Sequence, residues 1–128
     1  MQTLTYDSDG NIYDVFIHNL PQIFPEPGMY IKNYEGYVSG DKHYIDILTT
    51  NVMQKAVLAV NANKAEILSN GIDELILSGL PNCKIFDGLN YHIVTDGEFV
   101  ITRDMPGSYK LIIKSTQFLD HTFTYTVI

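Results

Sequence analysis

Five glycines punctuate the second half of the chain at nearly even intervals, and no other feature narrows the fold as much. Gly71, Gly79, Gly88, Gly97 and Gly107 lie 8, 9, 9 and 10 residues apart. They sit in Asn70-Gly71, Ser78-Gly79, Asp87-Gly88, Asp96-Gly97 and Pro106-Gly107. Segments of that length between turn residues suit short β-strands and predict a sandwich or barrel. The Asn-Gly and Asp-Gly pairs favour two-residue hairpin turns, where both central residues take positive φ.

Between these turns the apolar residues alternate, the period of a strand with one face buried. Leu75 and Leu77 share a parity opposite to Glu74 and Ile76 and are expected to point inward. Phe99 and Ile101 repeat the pattern, as do Tyr109, Leu111 and Ile113. Phe123, Tyr125 and Val127, interleaved with Thr122, Thr124 and Thr126, give the clearest alternation. Strands are predicted at 55–60, 64–68, 73–78, 83–87, 90–95, 98–102, 107–115 and 121–127. A helical i, i+3, i+4 pattern can also be threaded through 51–68. The β-branched Val57, Val60 and Ile67 count against it, and Asn61-Ala62-Asn63 reads as a loop. The fold class expected of 55–128 is therefore all-β, a small sandwich.

The first fifty residues read differently. Pro21, Pro25 and Pro27 crowd one stretch, which is expected to be a loop or sheet edge because proline has no ladder donor. Strands are predicted at 2–6, 12–18, 29–34 and 43–48. Asp7-Ser8-Asp9-Gly10-Asn11 and Ser39-Gly40-Asp41-Lys42 are expected to be hairpin turns. Residues 1–50 are thus predicted to form a small β-meander, with 49–54 as the connection. So small a sheet needs a neighbour or partner to pack on.

Composition limits the function. The 128 residues carry 15 acidic and 8 basic side chains, a formal charge of −7, which argues against nucleic acid and anionic membrane as partners. One cysteine, Cys83, cannot form an internal disulfide, and its place in an apolar run predicts a buried, inert thiol. The N-terminus shows neither a basic start nor an apolar run, so no signal peptide is expected. No apolar stretch is long enough for a membrane span.

No motif for catalysis emerges. Asp7-x-Asp9-Gly10 resembles the start of a calcium loop, but glycine falls at the fourth position and His18 at the twelfth, where glutamate is required. His18, His43, His92 and His121 lack metal-ligand spacing. Asp73 and Glu74 are adjacent, so a strand would point them to opposite faces. Neither a nucleophile elbow nor a phosphate loop is present. The chain is expected to be no enzyme, with no cofactor, no metal and no catalytic residue. Phe24, Tyr30, Tyr34, Tyr37 and Tyr44 form the candidate partner-contact set, because tyrosine offers an apolar body with a polar tip. The plainer account is that these rings pack the meander.

The stretch from Glu66 to Pro81, ending Ser78-Gly79-Leu80-Pro81, resembles the opening of Ig-like domains in small tail-associated virion proteins of tailed bacteriophages. Asp87-Gly88, Thr95-Asp96-Gly97 and Met105-Pro106-Gly107-Ser108-Tyr109 follow in the order those domains show, and Phe118-Leu119 precedes the last strand. The resemblance covers about residues 55–128. It implies an immunoglobulin-like sandwich of the bacterial, invasin type, without the antibody Cys-Trp-Cys hallmark. It also implies a non-enzymatic structural role in the virion, in the tail, tail tip or fibre or as a head decoration. Other virion proteins would then be its partners, oligomeric within the particle after synthesis in the host cytoplasm. A module that binds a host-surface glycan or protein through its tyrosines is the alternative. A cytoplasmic accessory or inhibitor protein ranks below both.

Overall fold

The computed structural model describes residues 2–16 and 28–128. The chain divides into two compact units, Met1–Ala56 and Val57–Ile128. All regular structure among the described residues is β, arranged in several sheets.

The first unit contains β1 (Gln2–Tyr6), β2 (Ile12–Phe16), β3 (Tyr30–Tyr34), β4 (His43–Ile45) and β5 (Val52–Gln54). Its three-stranded sheet has the order β2-β1-β3, all antiparallel. This corrects the expected meander, in which the middle strand of the sequence would also be the middle of the sheet. Here β1 is central because its residues Thr3, Leu4 and Thr5 are all buried. β2 carries the exposed Asp14, a charge suited to an edge. β4 and β5 form a separate hairpin, so part of the expected connection at 49–54 is a strand. Ser39-Gly40-Asp41-Lys42 does form a turn, closed by Lys42 N–H on Ser39 C=O at 3.1 Å. It is not a hairpin, since β3 and β4 lie in different sheets. Leu4, Val38 and Ile45 make the small core.

The second unit contains β6 (Asn61–Ala62), β7 (Glu66–Ile67), β8 (Leu75–Ser78), β9 (Cys83–Phe86), β10 (Tyr91–Val94), β11 (Phe99–Ile101), β12 (Gly107–Ser115) and β13 (Phe118–Val127). Five strands form one sheet, in the order β10-β9-β12-β13-β7, and three form another, β11-β8-β6. Both sheets contribute to one core, with Leu75 and Leu77 from β8, Ile101 from β11, Ile85 from β9, Leu111 and Ile113 from β12, and Tyr125 and Val127 from β13. Two sheets with alternating inward residues around one core give a sandwich-like body. Leu75 and Leu77 are the inward pair expected from the sequence, and Ile101, Leu111, Ile113, Tyr125 and Val127 lie on parities its alternation marked, whereas Ile85 belonged to no alternating run it read.

All five spaced glycines have positive φ, between 70° and 154°. Only Asp87-Gly88 closes a hairpin, between β9 and β10. At the other four the chain passes from one sheet to the other. The long β12–β13 hairpin turns without glycine, with Thr116 and Gln117 between the paired Ser115 and Phe118. The predicted strand at 55–60 is absent. The division between the units falls at residue 56, and of that run only Leu58 is fully buried. Asn61-Ala62, expected to be a loop, forms the short edge strand β6.

Candidate functional site

The candidate tyrosines all belong to the first unit, and Phe24 lies outside the described residues. Tyr30 opens β3 opposite Tyr6, and the two rings stack with centroids 5.4 Å apart. Tyr34 closes the same strand and packs against the Leu4–Val38–Ile45 core. Tyr37 follows on a loop, 71% exposed, in a T-shaped contact with the His43 ring at 6.3 Å between centroids. Tyr44 is half-buried on β4 opposite Met53. Among the described residues no ring contact joins any two of these four. Tyr34 therefore has a packing role, while Tyr37 and the half-exposed Tyr30 are open to a partner.

Tyr13, on β2, belongs with the exposed rings and was not among the candidates. The charge of Asp7 pushes its hydroxyl above the usual tyrosine range, and a hydrogen bond to that carboxylate adds to the effect. Asp7 itself organises the β1–β2 turn. Its Oδ1 accepts the N–H of Asp9 and of Asn11, each at 2.9 Å, and its Oδ2 accepts the Asn11 side-chain amide at 3.0 Å. Burial alone would raise this carboxyl, but those hydrogen bonds outweigh it and hold it below the ordinary value. The acidic motif is thus occupied in making a turn.

In the second unit, Asp87 caps its hairpin in the same way. Its Oδ1 accepts the N–H of Leu89 at 2.8 Å and of Asn90 at 2.7 Å, and His92 Nε2 lies 2.7 Å from Oδ2. The Asn90 N–H, then the His92 ring, hold this carboxyl far below the usual range. Lys64 pairs with Asp73, whose carboxyl is lowered mainly by that contact. Cys83 is buried in the core, and burial pushes its thiol up. A thiol in that environment is a poor nucleophile.

One end of the sandwich-like body carries a compact cation–aromatic stack. The Arg103 guanidinium lies 4.5 Å above the Tyr109 ring, which stacks on Tyr125 at 5.5 Å. Arg103 Nε donates to the Tyr125 hydroxyl at 3.0 Å. The Tyr109 hydroxyl donates to the Met105 carbonyl, four residues upstream, at 2.9 Å. The Tyr109–Tyr125 contact follows from their register as opposed residues of β12 and β13. Arg103 comes from the loop after β11, and no spacing in the sequence announces it.

The outer face of the five-stranded sheet holds residues the candidate set did not include. Tyr91 and Ile93 on the edge strand β10 are 59% and 76% exposed. Phe86 contacts Tyr91 at 4.7 Å, and Ile112 is paired beside Phe86. Alternation alone could not single out this row, because apolar residues of either parity read equally well as inward.

Among the described residues no cluster of His, Cys, Asp and Glu could hold a metal ion. Among the same residues no helix is long and apolar enough to cross a membrane. Comparison of the chain with protein-family models, curated proteins and solved structures found no match.

Proposed function

We propose that the chain is a non-enzymatic structural protein of a tailed-bacteriophage particle, in the tail, tail tip or fibre or as a head decoration, and that its second unit is an immunoglobulin-like sandwich. The observation that carries the fold half of this proposal is the Tyr109 hydroxyl bonded to the Met105 carbonyl. A tyrosine near the start of the penultimate strand, bonded back to the backbone a few residues upstream, is the tyrosine corner of such sandwiches. Strand order supports the same reading. Taking β6, β8 and β11 as strands A, B and E, and β9, β12 and β13 as C, F and G, gives the two-sheet partition of the immunoglobulin fold. β10 then adds a strand beside C, as in variable-type domains.

The virion half rests on the resemblance of residues 55–128 to tail-associated proteins, since a fold alone carries no function. In that reading a rigid β-body is displayed on the particle and contacts other virion proteins. Mass spectrometry of purified particles tests it directly. The expected result is peptides from this chain at a fixed stoichiometry to known structural proteins, and their absence sinks the reading.

A second reading, a binder of host-surface glycan or protein, is favoured by the open tyrosines of the first unit. Tyr37 is a better probe than Tyr34, whose removal would damage the core it packs against. On a glycan array, Tyr37→Ala is expected to weaken any specific signal several-fold. A signal indifferent to the substitution counts against this reading.

A further inference from the structure

The two outer faces of the second unit carry opposite charge and matching apolar strips. On the five-stranded sheet, Lys84, Lys110 and Lys114 all point outward and are exposed. They are three of the eight basic residues in a chain of net charge −7. Lys84 and Lys114 are paired neighbours on β9 and β12, and Ile93 on β10 lies beside Lys84. The next row runs Tyr91, Phe86, Ile112 and Thr122 across four strands. Acidic residues reach this face at Asp120 on β13, across the β12–β13 register shift from Lys114, and at Glu66 on the far edge strand β7. Among the described residues none of the three lysines is in an ion pair.

The three-stranded sheet presents the complement. Ile76 and Val100 are paired neighbours on β8 and β11 and face outward, Val100 at 46% exposure. Glu74 and Glu98 precede β8 and β11, share the outward parity and are exposed. No lysine or arginine lies on the outward parity of β6, β8 or β11.

We propose that these faces bind each other between copies of the chain, the lysine face of one copy against the glutamate face of the next. Tyr91, Phe86 and Ile112 would then cover Ile76 and Val100, with Lys84 and Lys114, on one side of the apolar row, opposite one glutamate and Lys110, on the other side, opposite the second, since Glu74 and Glu98 lie at the two ends of the antiparallel Ile76–Val100 pair. A symmetric pairing of lysine face on lysine face is opposed, because it sets like charges together. The contact is heterologous. Because the two surfaces lie on opposite faces of one body, it leaves a free face at each end and propagates rather than closing as a pair. A strip this small gives a weak contact of the kind that gains strength in an array. The inference deepens the assembly reading above by naming a second copy as partner.

Sedimentation of the full chain from micromolar to millimolar concentration tests it. The wild type is expected to form a concentration-dependent series of species, which disperses in about 1 M salt, where the Debye length is ~3 Å. Lys84→Glu/Lys114→Glu and Glu74→Lys/Glu98→Lys are each expected to stay monomeric, weakening association at least about tenfold. Circular dichroism checks that both variants remain folded. Mixed together, the intact glutamate face of one variant meets the intact lysine face of the other, and their two reversed faces are likewise of opposite charge, so the mixture is expected to regain the concentration-dependent series. A monomeric wild type overturns the proposal, as does association that ignores salt, assembly of either variant alone, or a mixture that stays monomeric. Particle mass spectrometry is decided separately. A chain that self-associates this way but is missing from particles would sink the virion reading and leave this contact standing.

Discussion

Tyr109 joins the backbone turn before β12 to the aromatic stack beneath Arg103. Its ring contacts both the guanidinium and the Tyr125 ring, and its hydroxyl holds the Met105 carbonyl. Tyr109→Phe keeps the ring and removes only the hydrogen bond. Urea unfolding is expected to show a loss of about 1 kcal/mol with an unchanged m value. A neutral result would mean that the ring alone makes the corner. Asp87 offers a second test at this scale. Its folded pKa is depressed by the Asn90 N–H and by His92, below the ordinary aspartate value. As pH falls through that value the unfolded carboxylate takes up a proton before the folded one, so the unfolded chain binds more protons and stability drops. Above it the contribution is fully present. Melting temperature is therefore expected to decline in acid below about pH 4, and less steeply in Asp87→Asn, which cannot titrate. Parallel acid profiles for the two proteins would remove Asp87 from the account.

Two glycines of similar sequence context do different work in their elements. Gly88, in the β9–β10 turn at φ +99°, has nothing within 4 Å of a Cβ added there. Gly88→Ala is expected to cost about 1–2 kcal/mol, the strain of a side chain in the left-handed region. Gly10, in the β1–β2 turn at φ +95°, would place its Cβ 2.0 Å from the Ile45 carbonyl oxygen. That approach exists because Ile45 N–H donates to Gly10 C=O at 2.8 Å, tying the turn to β4. Gly10→Ala must break this contact as well as strain the backbone, so it is expected to cost more than Gly88→Ala. Urea midpoints of the two variants decide it, and equal losses would mean that the close approach carries no weight. A glycine-based turn was legible at both positions as Asp-x-Asp-Gly and Asp-Gly. The neighbour across the Gly10 turn was not, because it lies 35 residues further along the chain.

At the scale of the molecule, each unit has its own buried cluster, Leu4, Val38 and Ile45 in one and Leu75, Leu77, Ile85, Leu111 and Ile113 among others in the other. A chain of residues 57–128 is expected to fold alone and unfold cooperatively, with dispersed amide resonances. Collapsed, poorly dispersed spectra would show that its core depends on the first unit. So short a domain is expected to be only marginally stable.

Strand character was written locally. Alternation at 75–77, 107–115 and 121–127 needs only a two-residue period, and burial of Leu75, Leu77, Leu111 and Ile113 followed it. Turn positions were local too, since positive φ is a property of the glycine itself. What lay beyond the sequence was where each turn leads. A glycine that returns the chain beside its own strand and one that sends it to the opposite sheet have the same signature. Only the pairing of distant strands separates Gly88, which closes a hairpin, from Gly71, Gly79, Gly97 and Gly107, which lead from sheet to sheet. The same pairing set β3 beside β1, placed Tyr109 against Tyr125, and gathered Lys84 and Lys114 onto one face. Side-chain alternation is a local steric rule. Sheet membership is settled by which long-range partners bury the most apolar surface together, and that is a property of the folded chain.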